Sequence, residues 1–244
     1  MTQSPQMVGC VLFVDIVGSS LRSNTELNRM VKVLTRLVRK TPTFARVQPS
    51  LDVVRKSTGD GLLVVFREYL DPVHCATELA RGLTDDGTVP VRMGVNIGPI
   101  TPHEDISGDA NALGGGMVVA ARVMDCGDQG HVLLSGPAAD QLDQLDPGWV
   151  TSLDGGRAIL DDLGRTRVKS QVVHVHNLYS ESFGNPSTPR KLHETVFSDK
   201  GTPLSIGIQT FHRGAETLDS ETDDTLCLLR HFDGRHVRDS SLWA

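Results

Sequence analysis

The sequence predicts an α+β protein: a ferredoxin-like β-α-β-β-α-β sheet with extra strands and helices packed on it, followed by a small β-rich C-terminal appendage. Three observations carry the prediction. Strand-like apolar runs alternate with two stretches of helical apolar spacing, in the order such a sheet needs. A short turn, Thr58-Gly59-Asp60-Gly61, separates two of the strand runs and reads as a hairpin. Past Tyr179 the composition changes, and Gly184, Pro186 and Pro189 fall close together as in a linker.

In chain order, residues 8–14 read as a buried strand. Over 24–40, Leu27, Met30, Val31, Leu34, Leu37 and Val38 recur at helical spacing, and Thr41-Pro42 stops the run. Residues 51–56 and 62–68 supply the hairpin strands. Over 72–83, Val73, Ala76, Leu79, Ala80 and Leu83 line one helical face. Residues 90–100 alternate as a strand does. Residues 101–116 are polar and Gly-rich, a loop or an extended arm, and 117–124 begin a tightly packed helix. Further strands are expected at 132–135, 150–153, 158–160 and 168–178. Beyond the linker at 180–190, the runs 203–211 and 225–231 are strand-like, and Phe232-Asp233-Gly234-Arg235 is a turn signal. The expected division is a domain over 1–179, with 180–244 a linker and a small extension that packs on the core or on a second subunit.

With 244 residues the chain can bury a core of ordinary size. A formal charge of −6 and a pI near 5.8 argue against broad nucleic-acid binding, which needs a basic footprint. Cys10, Cys75, Cys126 and Cys227 are scattered without metal spacing and read as reduced structural thiols. No apolar run approaches the ~20 residues of a membrane span. No charged n-region followed by an apolar h-region opens the chain. A soluble, cytoplasmic protein contacting neither nucleic acid nor membrane is therefore expected. The histidines show no HExxH-like spacing, and His174 and His176 share a strand face and read as structural.

Two segments carry chemistry. In Val11-Leu12-Phe13-Val14-Asp15-Ile16-Val17-Gly18-Ser19-Ser20 an apolar strand ends in an aspartate and enters a small, hydroxyl-bearing turn. In Arg55-Lys56-Ser57-Thr58-Gly59-Asp60-Gly61 a second aspartate sits in a Gly-bounded turn before the apolar run Leu62-Leu63-Val64-Val65-Phe66. Each aspartate alone is an ordinary turn residue. Together with the small-residue turn they suggest a magnesium–triphosphate site, because magnesium takes hard oxygen ligands from one or two carboxylates plus substrate phosphates. Backbone N–H groups of Val17, Gly18, Ser19 and Ser20, ahead of the first helix, would face an anion there; a plain Ser N-cap is the alternative, and both can hold.

At these residues the chain resembles the class III nucleotidyl cyclases, the adenylate and guanylate cyclase catalytic domains. The matching pieces are FVDIVGSS, KSTGDG, MVVAARVMDCGDQGHVLLSG and DLGRTRVK, in the family's order, over roughly residues 8–178. RKSTGDG is most similar to the branch that cyclises pyrimidine nucleotides, the uridylate and cytidylate cyclases of the Pycsar anti-phage systems. The resemblance implies that Asp15, Asp60 and the Ile16 carbonyl hold two magnesium or manganese ions. Arg122 matches the arginine that neutralises charge at the α-phosphate, and Lys169 matches a lysine that grips the terminal phosphates. Charge protection of an exposed edge strand explains Lys169, with Arg165 and Arg167 beside it, equally well. Lys56 stands where purine cyclases carry their base-reading lysine. The pyrimidine signature falls on Arg55, whose planar, multi-donor head could span the gap a smaller base leaves. Consecutive strand residues face opposite ways, so one of the two reads the base, and Arg55 is favoured. Asn111 matches the second base-specifying position; an amide can donate and accept, and a loop Asn is the alternative. The family's asparagine one turn before the arginine is replaced by Val118, with Asn96 or Asn111 as possible substitutes.

The function implied is conversion of a pyrimidine nucleoside triphosphate, UTP favoured and CTP next, to its 3′,5′-cyclic monophosphate and pyrophosphate, as a messenger in anti-phage defence that acts on a separate effector. A head-to-tail homodimer with composite sites is implied, the aspartates and turn from one subunit, the base readers and Arg122 from the other. An ordinary adenylate cyclase, or an inactive cyclase-like binding module, are the alternatives.

Overall fold

A computed structural model describes residues 6–47, 54–106 and 108–192, with the backbone of two short strands at 196–197 and 203–204. The expected strand at 225–231, the turn after it, most of 203–211 and Cys227 lie outside the described residues.

The first strand, β1 (Met7–Ile16), runs down the middle of the sheet, with Leu12, Val14 and Ile16 turned to one core and Val11 to the other. Helix α1 (Asn24–Lys40) is capped by Ser23, whose hydroxyl accepts from the Glu26 N–H at 3.3 Å. Its apolar stripe delivers Met30, Leu34 and Val38 to the core. Thr41 ends it by donating its hydroxyl to the Val38 carbonyl at 2.8 Å. Pro42 then opens a second short helix, α2 (Pro42–Val47), where the sequence suggested only a stop; proline is well tolerated in a first helical turn. Strands β2 (Val54–Ser57) and β3 (Gly61–Phe66) form the expected hairpin, closed by Thr58 N–H to the Gly61 carbonyl at 3.0 Å. After α3 (Asp71–Asp86), strand β4 (Val91–Glu104) continues through the residues expected to be an arm and pairs with β5 (Ala110–Leu113) as a two-stranded ribbon.

Helix α4 (Gly115–Cys126) lies directly on β4. A Cβ at Gly94 would meet the Ala120 carbonyl and the Met124 N–H at 2.5 Å each, so the contact depends on a residue without a side chain. Strand β6 (Val132–Ser135) follows. Helices α5 (Gly136–Leu145) and α6 (Trp149–Ser152) come next, and they correct the strand expected at 150–153. Gly148 is left-handed, and the buried Trp149 donates its indole N–H to Asp143 at 2.9 Å, which anchors a helical turn there. The strand expected at 168–178 is two strands: β7 (Ile159–Val168) turns at Lys169, φ 55°, into β8 (Gln171–Tyr179).

The sheet order is β2-β3-β1-β4-β6-β8-β7, with β5 paired to β4. The first four strands give the ferredoxin-like order, and β6, β8 and β7 extend it. Within the segment read as a linker, Phe183 is buried, Asn185 donates to the Gln129 carbonyl and the Arg190 N–H reaches Asp128; Leu192, just beyond it, is buried too. A short antiparallel pair, β9 (Val196–Phe197) with β10 (Pro203–Leu204), lies beyond. Cys10, Cys75 and Cys126 are buried free thiols, each pushed up to about 12 first by burial. No described helix is long and apolar enough to cross a membrane.

Candidate active site

Asp15 pairs across β1 with Gly61 on β3 and with Arg92 on β4. A Cβ at Gly61 would stand 2.2 Å from the Val14 carbonyl, so glycine here lets the hairpin turn close against the end of β1. The Ile16 N–H donates to the Asp60 carbonyl at 3.3 Å, and the Ser19 hydroxyl donates to the Asp60 carboxylate. Strand register thus brings Asp15, Ile16, Ser19 and Asp60 to one strand end.

Two residues with no assigned role from the sequence complete the charge pattern. Arg92 donates to Asp15 Oδ2 through Nε at 2.9 Å and Nη2 at 2.8 Å, and its Nη2 is 3.2 Å from Asp125 Oδ1. Lys169 Nζ lies 3.9 Å from the other Asp125 oxygen. Burial pushes the Asp15 carboxyl up, against the pull of Arg92, and the charges of Asp60 and Asp125 push it further. Three carboxylates and one strongly paired guanidinium leave negative charge in excess where Asp15 and Asp60 meet. A hard-oxygen donor set of this kind suits magnesium or manganese. The sequence signal for Asp125 was its place one helical turn after Arg122 on α4; Arg92 had none, because only the β1–β4 register brings it to Asp15.

The turn is less available to an anion than expected. The Val17 N–H is bound to the Pro90 carbonyl at 2.8 Å, and a 3₁₀ turn, Ser19–Leu21, separates it from α1, whose cap is Ser23. The helix dipole therefore begins past the turn, and Gly18 and Ser20 are its exposed members.

The paired residues Arg55 and Lys56 separate cleanly. Val54 packs with Val11, Val65 and Ala120, on the face that Asp15 shares by alternation with Val11 and Phe13. Lys56 has the same parity as Val54 and forms an ion pair with Asp105, at the end of the β4–β5 ribbon. Arg55 turns to the other face, where Nη1 donates to the Val47 carbonyl at 3.3 Å. The expectation was that Arg55 reads the base; β2 pairs β3 without a bulge, so Lys56, and not Arg55, takes the side of Asp15.

No family model matches the chain. A curated protein named "Putative adenylate cyclase 3" from Rhizobium meliloti (strain 1021) is 37% identical over 89 residues, 34% of this chain. That match spans only 14% of the relative. Among solved structures, an adenylate cyclase of Trypanosoma brucei in its monomeric state superposes with a TM-score of 0.60 at 17% identity, covering 78% of this chain and 96% of that one. A guanylate cyclase domain from Catenaria anguillulae in complex with GTP gives 0.56 at 16% identity, over 72% and 99%. An adenylate/guanylate cyclase/hydrolase from Silicibacter pomeroyi gives 0.55 at 23% identity, over 73% and 99%. The chain has the class III cyclase fold.

On this cyclase fold the remaining candidates, Asn111 and Arg122, make no polar contact with Asp15 or Asp60 among the described residues. Asn111 pairs with His103 in the ribbon, accepts from the Ala112 N–H at 2.9 Å, and lines a cavity of about 620 Å³ with Val54, Val65 and Met7. The Nε of Arg122 is buried without a hydrogen-bond partner among the described residues. Val118, one turn earlier, is exposed. Asn96 is no substitute for the missing asparagine. It is buried, donates to the Gly116 carbonyl at 2.8 Å and accepts from Ser135 at 2.6 Å, so both ends of its amide hold the core together.

Proposed function

We propose that this chain is a nucleotidyl cyclase that converts a nucleoside triphosphate to its 3′,5′-cyclic monophosphate and pyrophosphate. The observation that carries the reading is the meeting of Asp15 and Asp60 at one strand end, where burial first, and then the charges of Asp60 and Asp125, push the Asp15 carboxyl up against the pull of Arg92. Asp15, Asp60 and the Ile16 carbonyl would hold magnesium or manganese. Such ions, when bound, activate the ribose 3′-hydroxyl and neutralise the leaving pyrophosphate. The chain's own residues orient the reactants. Ser19 fixes the Asp60 carboxylate, Arg92 fixes that of Asp15, and Lys169, near Asp125, is a cation for the terminal phosphates. Arg122, with a buried, unpartnered Nε on α4, suits the α-phosphate of a nucleotide held mainly by a second copy. The exposed Ile106, Leu113 and Val118 on the ribbon and α4 support a head-to-tail homodimer with composite sites.

Base selection falls to Lys56 and Asp105 in this reading. An ammonium beside a carboxylate matches a ring nitrogen acceptor beside an exocyclic amino group. Adenine and cytosine both present that pair; uracil and guanine present the reverse. UTP thus gives way to ATP and CTP. The name of the curated relative favours ATP. The likeness of RKSTGDG to the pyrimidine branch favours CTP, with cyclic CMP then a defence messenger acting on a separate effector. Val118 supports one further reading, an inert nucleotide-binding module.

The deciding experiment incubates the protein with all four ribonucleoside triphosphates and manganese and identifies products by mass. Cyclic AMP or cyclic CMP, abolished by Asp60→Ala, supports the proposal. Cyclic UMP or cyclic GMP as the main product overturns the base assignment. No cyclic product at high protein concentration overturns the cyclase reading.

A further inference from the structure

On the face of the sheet opposite α4, β7 and β8 bring together Asp162, His174 and His176, whose ligand atoms all lie within 4.8 Å of one another. His174 and His176 are two apart on β8 and so share a face. Asp162 is directly across from His176, and Arg165 from His174. Three steps on β7 therefore oppose two on β8, a bulge with Gly164 left-handed at φ 74°. Bulges re-aim side chains, and this one turns Asp162 onto both imidazoles. Its Oδ1 accepts from the Gly164 N–H at 2.8 Å and is 2.6 Å from His174 Nε2, while Oδ2 is 3.9 Å from His176 Nε2. The two rings lie 4.7 Å apart and are tilted by 37°. The His174 ring lies against Gly136, where a Cβ would come within 3.0 Å of Cγ and Nδ1.

We infer that Asp162, His174 and His176 form a binding site for a borderline transition-metal dication, with Zn²⁺ as the defining ion. Two imidazoles and one carboxylate are a donor set for zinc, iron, cobalt or nickel, whereas magnesium takes oxygen. Ligand bonds of ~2.0–2.2 Å place donor atoms roughly 3.3–3.6 Å apart in a tetrahedral site. The observed separations bracket that value, so small side-chain rotations admit an ion. Burial is graded: His176 is 6% exposed, His174 34% and Asp162 48%, so the ion has an inner anchor and an outer side open to water. Arg165, the charged cross-strand neighbour, is exposed and can point into solvent. The site is distinct from Asp15 and Asp60 in chemistry and in its face of the sheet. Ion binding there would clamp the β7–β8 hairpin whose turn holds Lys169.

The test is equilibrium dialysis of the chelator-treated full chain against Zn²⁺ with Mg²⁺ in large excess, so that oxygen-only sites are filled. One Zn²⁺ per chain is expected, with the intense visible absorption of a low-coordinate site when Co²⁺ replaces it. Asp162→Asn and His174→Gln, each checked by circular dichroism, should weaken Zn²⁺ binding by more than about a hundredfold, since even outer partners of a ligand are worth roughly 10–100-fold. Asp15→Asn should leave the Zn²⁺ stoichiometry unchanged. No Zn²⁺ uptake, uptake displaced by Mg²⁺, wild-type binding in a folded Asp162→Asn or His174→Gln protein, or loss of uptake in Asp15→Asn would each overturn the assignment and leave a simple His–Asp ion pair.

Discussion

Arg92 donates two hydrogen bonds to a single oxygen of Asp15, from the neighbouring strand and at the strand end where Asp60 also arrives. The guanidinium supplies the positive charge that a divalent cation held by Asp15 would otherwise bring. Without it, Asp15, Asp60 and Asp125 would face one another in a half-buried space, with repulsion little screened by water. Arg92 therefore stabilises the carboxylate cluster and would compete with a cation bound there.

Substituting Arg92→Ala should expose this competition. Hydrogen bonds to charged groups contribute about 1.5–3 kcal/mol, so Mn²⁺ should bind at least about tenfold more tightly, while the metal-free protein becomes less stable. Electron paramagnetic resonance titration of free Mn²⁺, with a parallel thermal melt, measures both. Weaker Mn²⁺ binding would make Arg92 part of the binding site instead.

Asp15→Asn should have the opposite pair of effects. Burial raises the folded-state pKa of Asp15 above its unfolded value, so its ionised form at neutral pH opposes folding. Removing that charge should raise the Tm of the metal-free protein, by roughly 2–4 °C if the gain is about 1 kcal/mol. Cyclase activity should be lost. Calorimetry with and without Mn²⁺ checks it: the metal should stabilise only the unsubstituted protein.

The two aspartates were legible because Asp15 ends an apolar run, Asp60 precedes one, and both meet Gly or Ser punctuation, a local signal. Arg92 and Asp105 were not, because their roles arise from contacts between segments far apart in sequence. The choice between Arg55 and Lys56 needed the parity of β2, which became visible only once Val54 was seen against Val11 and Val65. The turn at Lys169 was hidden because a lysine rarely takes a left-handed conformation, so nothing broke the run at 168–178. The second short helix and the helical turn at Trp149 were missed for a related reason: both are too short for periodicity to register.

Asp105→Asn should change which base is accepted. The amide can donate to a carbonyl oxygen, where the carboxylate only accepts. A matched two-bond contact to a base edge discriminates by about 1–3 kcal/mol. The preference for ATP or CTP over GTP and UTP should fall by roughly ten- to a hundredfold. Mixed-nucleotide turnover measures this ratio directly, and an unchanged ratio would remove Asp105 from base reading.

Gly94→Ala should separate the packing of α4 from the chemistry it carries. The new methyl meets backbone atoms of Ala120 and Met124 at 2.5 Å, and no rotamer can relieve that. Overpacking of this kind costs about 1–3 kcal/mol. Cyclase activity should fall by more than stability explains, since Arg122 and Asp125 move with the helix. Urea unfolding beside turnover under native conditions compares the two losses.

The acid limb of stability should report on Asp162. Burial raises its carboxyl pKa, but the hydrogen bond and charge of His174, with help from the Gly164 N–H and His176, outweigh that and bring it to about 2. A depressed folded-state value means stability present above the unfolded carboxyl pKa of ~3.9 and lost as pH falls towards 2. Asp162→Asn lacks the titrating group. Its urea midpoint should lie below that of the unsubstituted protein at pH 6, in chelator, and the gap should close progressively between about pH 4 and 2. A gap that stays constant over that range would mean that packing of the side chain, and not its charge against His174, supplies the stability.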